Sequence, residues 1–143
     1  MNEHGFVKAV HRHLPSDLYR WKICDKFTGG VPDAMYAGTA GTLFVEYKYV
    51  TQLPKKDTTA IKIGLSALQL QWLRRMHLYN ALCMVIIGAP DGAVICTDLK
   101  WEQKLTKINF KNALSSKAVA NRIQEAVQGP NHERRHPDSS AEP

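Results

Sequence analysis

Residues 29–50 read GGVPDAMYAGTAGTLFVEYKYV. Two runs with strand character, 33–37 and 42–50, flank Gly38-Thr39-Ala40-Gly41, which suits a hairpin turn. Closing the turn over those four positions pairs Ala37 with Thr42, Met35 with Phe44 and Asp33 with Glu46. Cross-strand partners hold their β-carbons ~4.5–5.5 Å apart, and two like charges there destabilise a sheet unless something compensates. A divalent cation does so: Mg²⁺ takes carboxylate oxygens and water, commonly with only one or two protein carboxylates. Strand alternation places Lys48 on the face of Glu46, while Val45, Tyr47 and Tyr49 point the other way. The same short pattern would also serve as a salt bridge on a solvated hairpin, so the flanking chain has to decide.

Upstream, Asn2 is a candidate cap for a helix running to Leu14 and ended by Pro15. At about 100° per residue, Glu3 falls in the middle of the apolar arc of Phe6, Val7, Val10 and Leu14. Tyr19 to Phe27 alternates as a strand, with Tyr19, Trp21, Ile23 and Phe27 on one side and Arg20, Lys22, Cys24 and Lys26 on the other. Downstream, Thr51 to Gly64 is polar, carries Lys55, Lys56 and Lys62, and reads as a mobile loop. Ser66 to Tyr79 has helical period through Leu65, Leu68, Trp72, Leu73 and Met76, and Gln69 interrupts that stripe. A buried unsatisfied amide or charge costs about 1–3 kcal/mol or more. Two helices that each aim a polar group at a sheet carrying Asp33, Glu46 and Lys48 point to one shared site.

Leu82 to Gly88 is an apolar run suited to a central strand, and Ala93 to Asp98 returns across Pro90-Asp91-Gly92. Trp101 to Leu114 is ambiguous, with a helical turn expected over Glu102 to Leu105. Ser115 or Ser116 caps a last helix with Val119, Ile123 and Val127 inward, stopping at Gly129-Pro130. The expected architecture is one α/β domain, residues 1–129, with a mixed sheet flanked by helices in the order α-β-β-β-α-β-β-α. Residues 130–143 lack apolar periodicity and read as a disordered tail.

A length of 143 residues with 44% hydrophobic and 22% charged residues fits one packed domain and excludes wholesale disorder. Residues 1–129 hold 17 basic against 10 acidic groups, a balance that favours a polyanionic partner, though a merely solvated basic surface would give the same count. No apolar run approaches the ~18 residues of a membrane span, and the start lacks a signal-peptide core, so a cytoplasmic protein is expected. Cys24, Cys83 and Cys96 are odd in number and widely spaced, which leaves no disulfide framework or cysteine zinc site and reads as buried reduced thiols. His132-Glu133-Arg134-Arg135-His136 matches HExxH in letters only, because Pro130 and Pro137 bracket it and nothing nearby would dock a zinc-binding helix. His11 and His13 diverge on their helix and are poor co-ligands.

Taken together, GVPD ending at Asp33, EYK at 46–48 and the later SxxQxxWL, residues 66–73, resemble the PD-(D/E)XK nuclease superfamily. Its VRR-NUC branch, itself close to archaeal-type Holliday junction resolvases, is the most similar. The resemblance runs from Glu3 to about Gly88 and implies a restriction-endonuclease-like core. It further implies that Asp33 and Glu46 hold Mg²⁺ or Mn²⁺ with the Tyr47 carbonyl as an extra ligand, and that Lys48 orients or deprotonates the attacking water. Glu3 would complete the acidic cluster directly or through water, and Gln69 would position Lys48 or the water. Arg20, Lys22 and Lys26, with Lys55, Lys56 and Lys62, are the candidate phosphate contacts on duplex or branched DNA. The expected function is metal-dependent hydrolysis of DNA phosphodiesters by a structure-specific enzyme of a phage or bacterial cell, with a second copy of the chain as a candidate partner in a homodimer. The alternatives are a non-catalytic nucleic-acid-binding module on the same fold and a nuclease of restriction or homing type; three carboxylates oppose the former, since binding needs positive charge.

Overall fold

The computed structural model describes residues 1–129. The tail expected to be disordered, with the HERRH stretch, lies outside the described residues. A five-stranded mixed sheet in the order β1-β2-β3-β4-β5 is flanked by three α-helices. Helix α1 (Glu3–Arg12) precedes an antiparallel meander of β1 (Tyr19–Lys22), β2 (Ala34–Gly38) and β3 (Gly41–Tyr49). Helix α2 (Ala67–Leu78) crosses over to β4 (Leu82–Ala89), parallel to β3, and β5 (Gly92–Cys96) returns antiparallel. Two 3₁₀ turns, Lys100–Glu102 and Lys107–Phe110, lead to α3 (Ser116–Gln128).

Each helix begins where a side chain can take a free N–H. The Asn2 side chain accepts from Gly5 N, Ser66 from Gln69 N, and Ser115 from Ala118 N. Strand β4 is buried from Cys83 to Ala89, as a strand covered on both faces must be. Its alternate residues feed two cores. Met84 and Ile86, with Tyr36, Val45 and Tyr47, pack under α1 and α3, whereas Val85 and Ile87 pack with Leu73, Trp101 and Phe110 on the α2 side. The hairpin register is Ala37 to Thr42, Met35 to Phe44, Gly38 to Gly41.

Several sequence expectations change. The first strand stops at Lys22, not Phe27, because the Asp25 carboxylate accepts from Phe27 N and Thr28 N and folds the chain into a turn. Lys26 therefore leaves the strand, and Cys24 is exposed, unlike Cys83 and Cys96. The segment 51–64 is irregular but docked: Ile61 is buried and its N–H bonds Leu105 O, and Leu53 and Ile63 pack on the core. Leu68 leaves the buried stripe of α2 and is 55% exposed. The 3₁₀ turn starts at Lys100, earlier than expected, after Asp98 and Leu99 adopt positive φ.

Beneath α1, His11 Nε2 and the Tyr36 hydroxyl lie 2.7 Å apart, and the Tyr36 and Tyr47 hydroxyls 2.6 Å apart. Burial pushes the Tyr36 hydroxyl up to about 12, so it stays protonated and able to donate. Tyr36→Phe strands the Tyr47 hydroxyl and should cost about 1–3 kcal/mol in urea unfolding. Adding Tyr47→Phe should cost little more, a non-additivity that a double-mutant cycle measures directly.

Candidate active site

The site forms where β2 begins and β3 continues. Asp33 immediately precedes β2, and continuing the register from Ala34 opposite Val45 sets it across from Glu46. Two backbone bonds fix it there: Ile23 N donates to Asp33 O at 2.8 Å, and Tyr47 N donates to Asp33 Oδ2 at 2.8 Å. Glu46 and Lys48 point to the α2 side of the sheet, where Glu46 is only 3% exposed. Lys48 Nζ stands 3.6 Å from Glu46 Oε1. Gln69 Nε2 donates to the same oxygen at 2.9 Å. The other oxygen, Glu46 Oε2, is buried with no hydrogen-bond partner.

The amide of Gln69 can face only one way. Its Oε1 accepts from Ser66 N at 2.9 Å, closing a capping box with Ser66 Oγ and Gln69 N. A backbone N–H needs an acceptor, so the oxygen turns to the helix start and the NH₂ must face Glu46. Gly30 underlies this arrangement. At φ +84° it lies so close that a β-carbon would stand 2.3 Å from Leu68 O and 3.0 Å from Gln69 N. Sequence reading singled out Gln69 but passed over Gly30 and Ser66; the SxxQ capping pattern was the available signal for Ser66, and nothing local marked Gly30.

Burial and the neighbouring Asp33 charge push the Glu46 carboxyl up to about 8, against a smaller downward pull from Lys48. Glu3 is exposed in the first turn of α1, not central to its buried face; partial desolvation and Asp33 raise its carboxyl too, and Lys48 lowers it. It lines a cleft of about 260 Å³ with Lys8, His11, Lys22, Asp33 and Tyr47. Among the described residues no group of three or more His, Cys, Asp or Glu side chains is arranged to hold a metal ion. Direct completion of a three-carboxylate cluster by Glu3 is therefore not observed, and Asp33 and Glu46 stand as a pair.

The candidate cations do not share one face. Arg20 donates to His11 O at the end of α1, Lys22 lines the cleft with Glu3, and Lys26 sits in the 25–30 turn. Lys55 and Lys56 are exposed after β3, and Lys62 lines a separate groove with Arg74 and Glu102.

This sheet order and helix placement are those of a restriction-endonuclease-like α/β fold. Among solved structures the chain is similar to Hjc, a Holliday junction resolvase from the archaeal hyperthermophile Archaeoglobus fulgidus, with a TM-score of 0.51 and 15% sequence identity. The match covers 85% of this chain and 97% of that one, and at this identity it establishes the fold. No protein-family model and no curated protein matches the sequence. No helix of the described residues is long and apolar enough to cross a membrane.

A folded-state Glu46 that titrates near 8, against an ordinary 4.5, binds a proton that the unfolded chain has already lost between those values. Stability must then fall as pH rises through that window. In EDTA, wild-type melting temperature should drop between about pH 5 and pH 8.5, and Glu46→Gln should flatten that slope; equal slopes in scanning calorimetry would refute the assignment.

Proposed function

We propose that this chain is a metal-dependent, structure-specific endonuclease that hydrolyses DNA phosphodiester bonds at branched sites of Holliday junction type. The observation that carries the reading is Glu46: a buried carboxylate opposite Asp33, with one oxygen held by Gln69 and Lys48 and the other without a donor. Two carboxylates with an orphaned buried oxygen fit a hard divalent cation, which repays such burial where neutral donors do not. The Tyr47 carbonyl joins this set by strand geometry, since a residue's N–H and C=O face the same edge and the Tyr47 N–H already meets Asp33. When bound there, Mg²⁺ or Mn²⁺ would lower the pKa of bound water and neutralise charge on the scissile phosphate.

The remaining roles belong to the chain itself. Lys48, close to Glu46, orients the attacking water and stabilises charge developing on the phosphate. Gln69 holds Glu46 Oε1 so that Oε2 faces the site. Glu3, coupled electrostatically to Asp33, acts through water. Arg20, Lys22, Lys26, Lys55, Lys56 and Lys62 are the proposed phosphate contacts; their spread over several surfaces suits a substrate with more than one duplex arm. The archaeal resolvase of the same fold supports a junction as substrate, and a homodimer would offer two sites for paired cuts. A place in the VRR-NUC branch rests on the GVPD, EYK and SxxQxxWL motifs, and a phage or bacterial setting on family analogy alone.

Labelled four-way junction, flap and linear duplex DNA, each with Mg²⁺, Mn²⁺ or EDTA, test this. Wild type should cut branched DNA only with metal. Asp33→Asn, Glu46→Gln and Lys48→Ala should each lose at least about a hundredfold in rate while still binding. Full activity in both carboxylate variants would remove the site, and tight binding by wild type without cleavage would make the chain a binding module. Separately, Mg²⁺ should raise the wild-type melting temperature at pH 8 and leave that of Glu46→Gln nearly unchanged.

A further inference from the structure

Phe27 is 99% exposed, yet the turn that carries it is fixed. Asp25 Oδ1 accepts from Phe27 N at 2.8 Å and Thr28 N at 3.2 Å, and Gly29 and Gly30 pack directly on Leu68 at the start of α2. A single exposed apolar side chain is ordinary; one on a turn whose bracing residue, Asp25, also walls an open cleft with aromatic lining is not. Asp25 also lines a cleft of about 420 Å³ with Trp21, Ile23, Val31 and Phe44. Trp21 is 49% exposed, and Phe44 is backed by Trp72 in an edge-to-face contact at 5.3 Å. Lys22 lines the same cleft, and exposed Lys26 adjoins Phe27. The Asp25 carboxylate is engaged by the turn's own N–H groups.

A partner that satisfies both the cations and the aromatic faces must be an anion with flat apolar surfaces. Nucleic acid meets that description only where its bases are unpaired, because an intact duplex hides their faces in the stack. The position fits as well. Phe27 lies three residues, at most about 11 Å of chain, from Gly30, which abuts Gln69 N. Phe44 in the cleft wall and Glu46 lie two residues apart on one face of β3, about 7 Å, or roughly two nucleotides at ~3.4 Å each.

We infer that the cleft between β1 and the 25–31 turn, walled by Trp21 and Phe44 and followed two residues past its Asp25 wall by the uncovered Phe27, receives unpaired bases of the DNA strand next to the cut, and so selects branch points over continuous duplex. This inference rests on the nuclease reading and names how that site chooses its substrate.

The full chain in EDTA, titrated against a fluorescein-labelled flap DNA and a blunt duplex of the same sequence, tests it by anisotropy. Phe27→Ala removes only exposed surface and should weaken flap binding about five- to hundredfold, with duplex affinity unchanged. Phe27→Trp should restore the preference, and Trp21→Ala should reproduce its loss. A 2-aminopurine placed as the first unpaired base should be quenched by wild type and not by Phe27→Ala. Equal losses on both DNAs, or no loss on either, would overturn the inference. So would sedimentation showing a wild-type dimer that Phe27→Ala splits, since a second copy would then cover the cleft. A separate cleavage assay with Mg²⁺ keeps the two readings apart. Wild type that cuts DNA while Phe27→Ala keeps its flap preference removes this inference alone; wild type that prefers flaps through Phe27 but never cuts overturns the nuclease reading and, with it, the placement next to a cut, leaving a base-binding cleft.

Discussion

Glu46 carries a carboxylate inside the slab between the sheet and α2, with Asp33 opposite, and much of the local chain is arranged around that unfavourable placement. Moving a carboxylate out of water costs several kcal/mol even after relaxation, and a like charge nearby adds to the cost. Partial relief comes from two directions, the Lys48 ammonium and the Gln69 amide. The second depends on a chain of requirements. Gln69 must sit three residues after Ser66, the helix must start there, and residue 30 must lack a side chain so that the preceding loop can lie against Leu68 O. A helix cap and a glycine thus serve the orientation of one oxygen atom.

The larger of the two cores lies across the sheet from this pair. Val10, Tyr36, Leu43, Val45, Ile86, Val119, Ile123 and Val127 are essentially without exposure on the α1 and α3 side. Tyr47 belongs to both regions: its ring fills that core, while its backbone N–H holds Asp33. Alternation along β3 makes this division possible, since consecutive residues 45 to 48 face core, site, core, site.

The hairpin was legible because its register follows from turn closure alone, and the observed pairs of Met35 with Phe44 and Ala37 with Thr42 need only the position of Gly38 and Gly41. The helix starts at Asn2 and at Ser115 or Ser116 were legible for a similarly local reason, the need of the first N–H groups for an acceptor. What escaped was decided by tertiary contacts or by one side chain acting on its own backbone. Residues 23–27 alternate like a strand, but the Asp25 carboxylate offers the backbone a better partner. The polar composition of 51–64 reads as a mobile loop, but Ile61 is buried within it and Leu105 O accepts from its N–H. Turn closure sufficed to set Asp33 against Glu46 and periodicity to aim Gln69 at the same site, but the amide bonds Glu46, where the expectation was Lys48 or a water. Glu3 could not be placed so, because the first turn of a helix need not share the burial of the turns that follow.

The last helix also closes over the turn that begins the site hairpin. Ala40 N donates to Val127 O at 2.7 Å, and a β-carbon at Gly38 would meet the same carbonyl at 2.5 Å. On a ribosome the hairpin emerges long before its cover does. At ~5–20 residues per second, the chain from Tyr49 to Gln128 takes on the order of several seconds to synthesise. Throughout that interval Leu43, Val45 and Tyr47 have no α3 to pack against. The core on the α3 side of the sheet is thus the last to close, a delay written into the order of the elements.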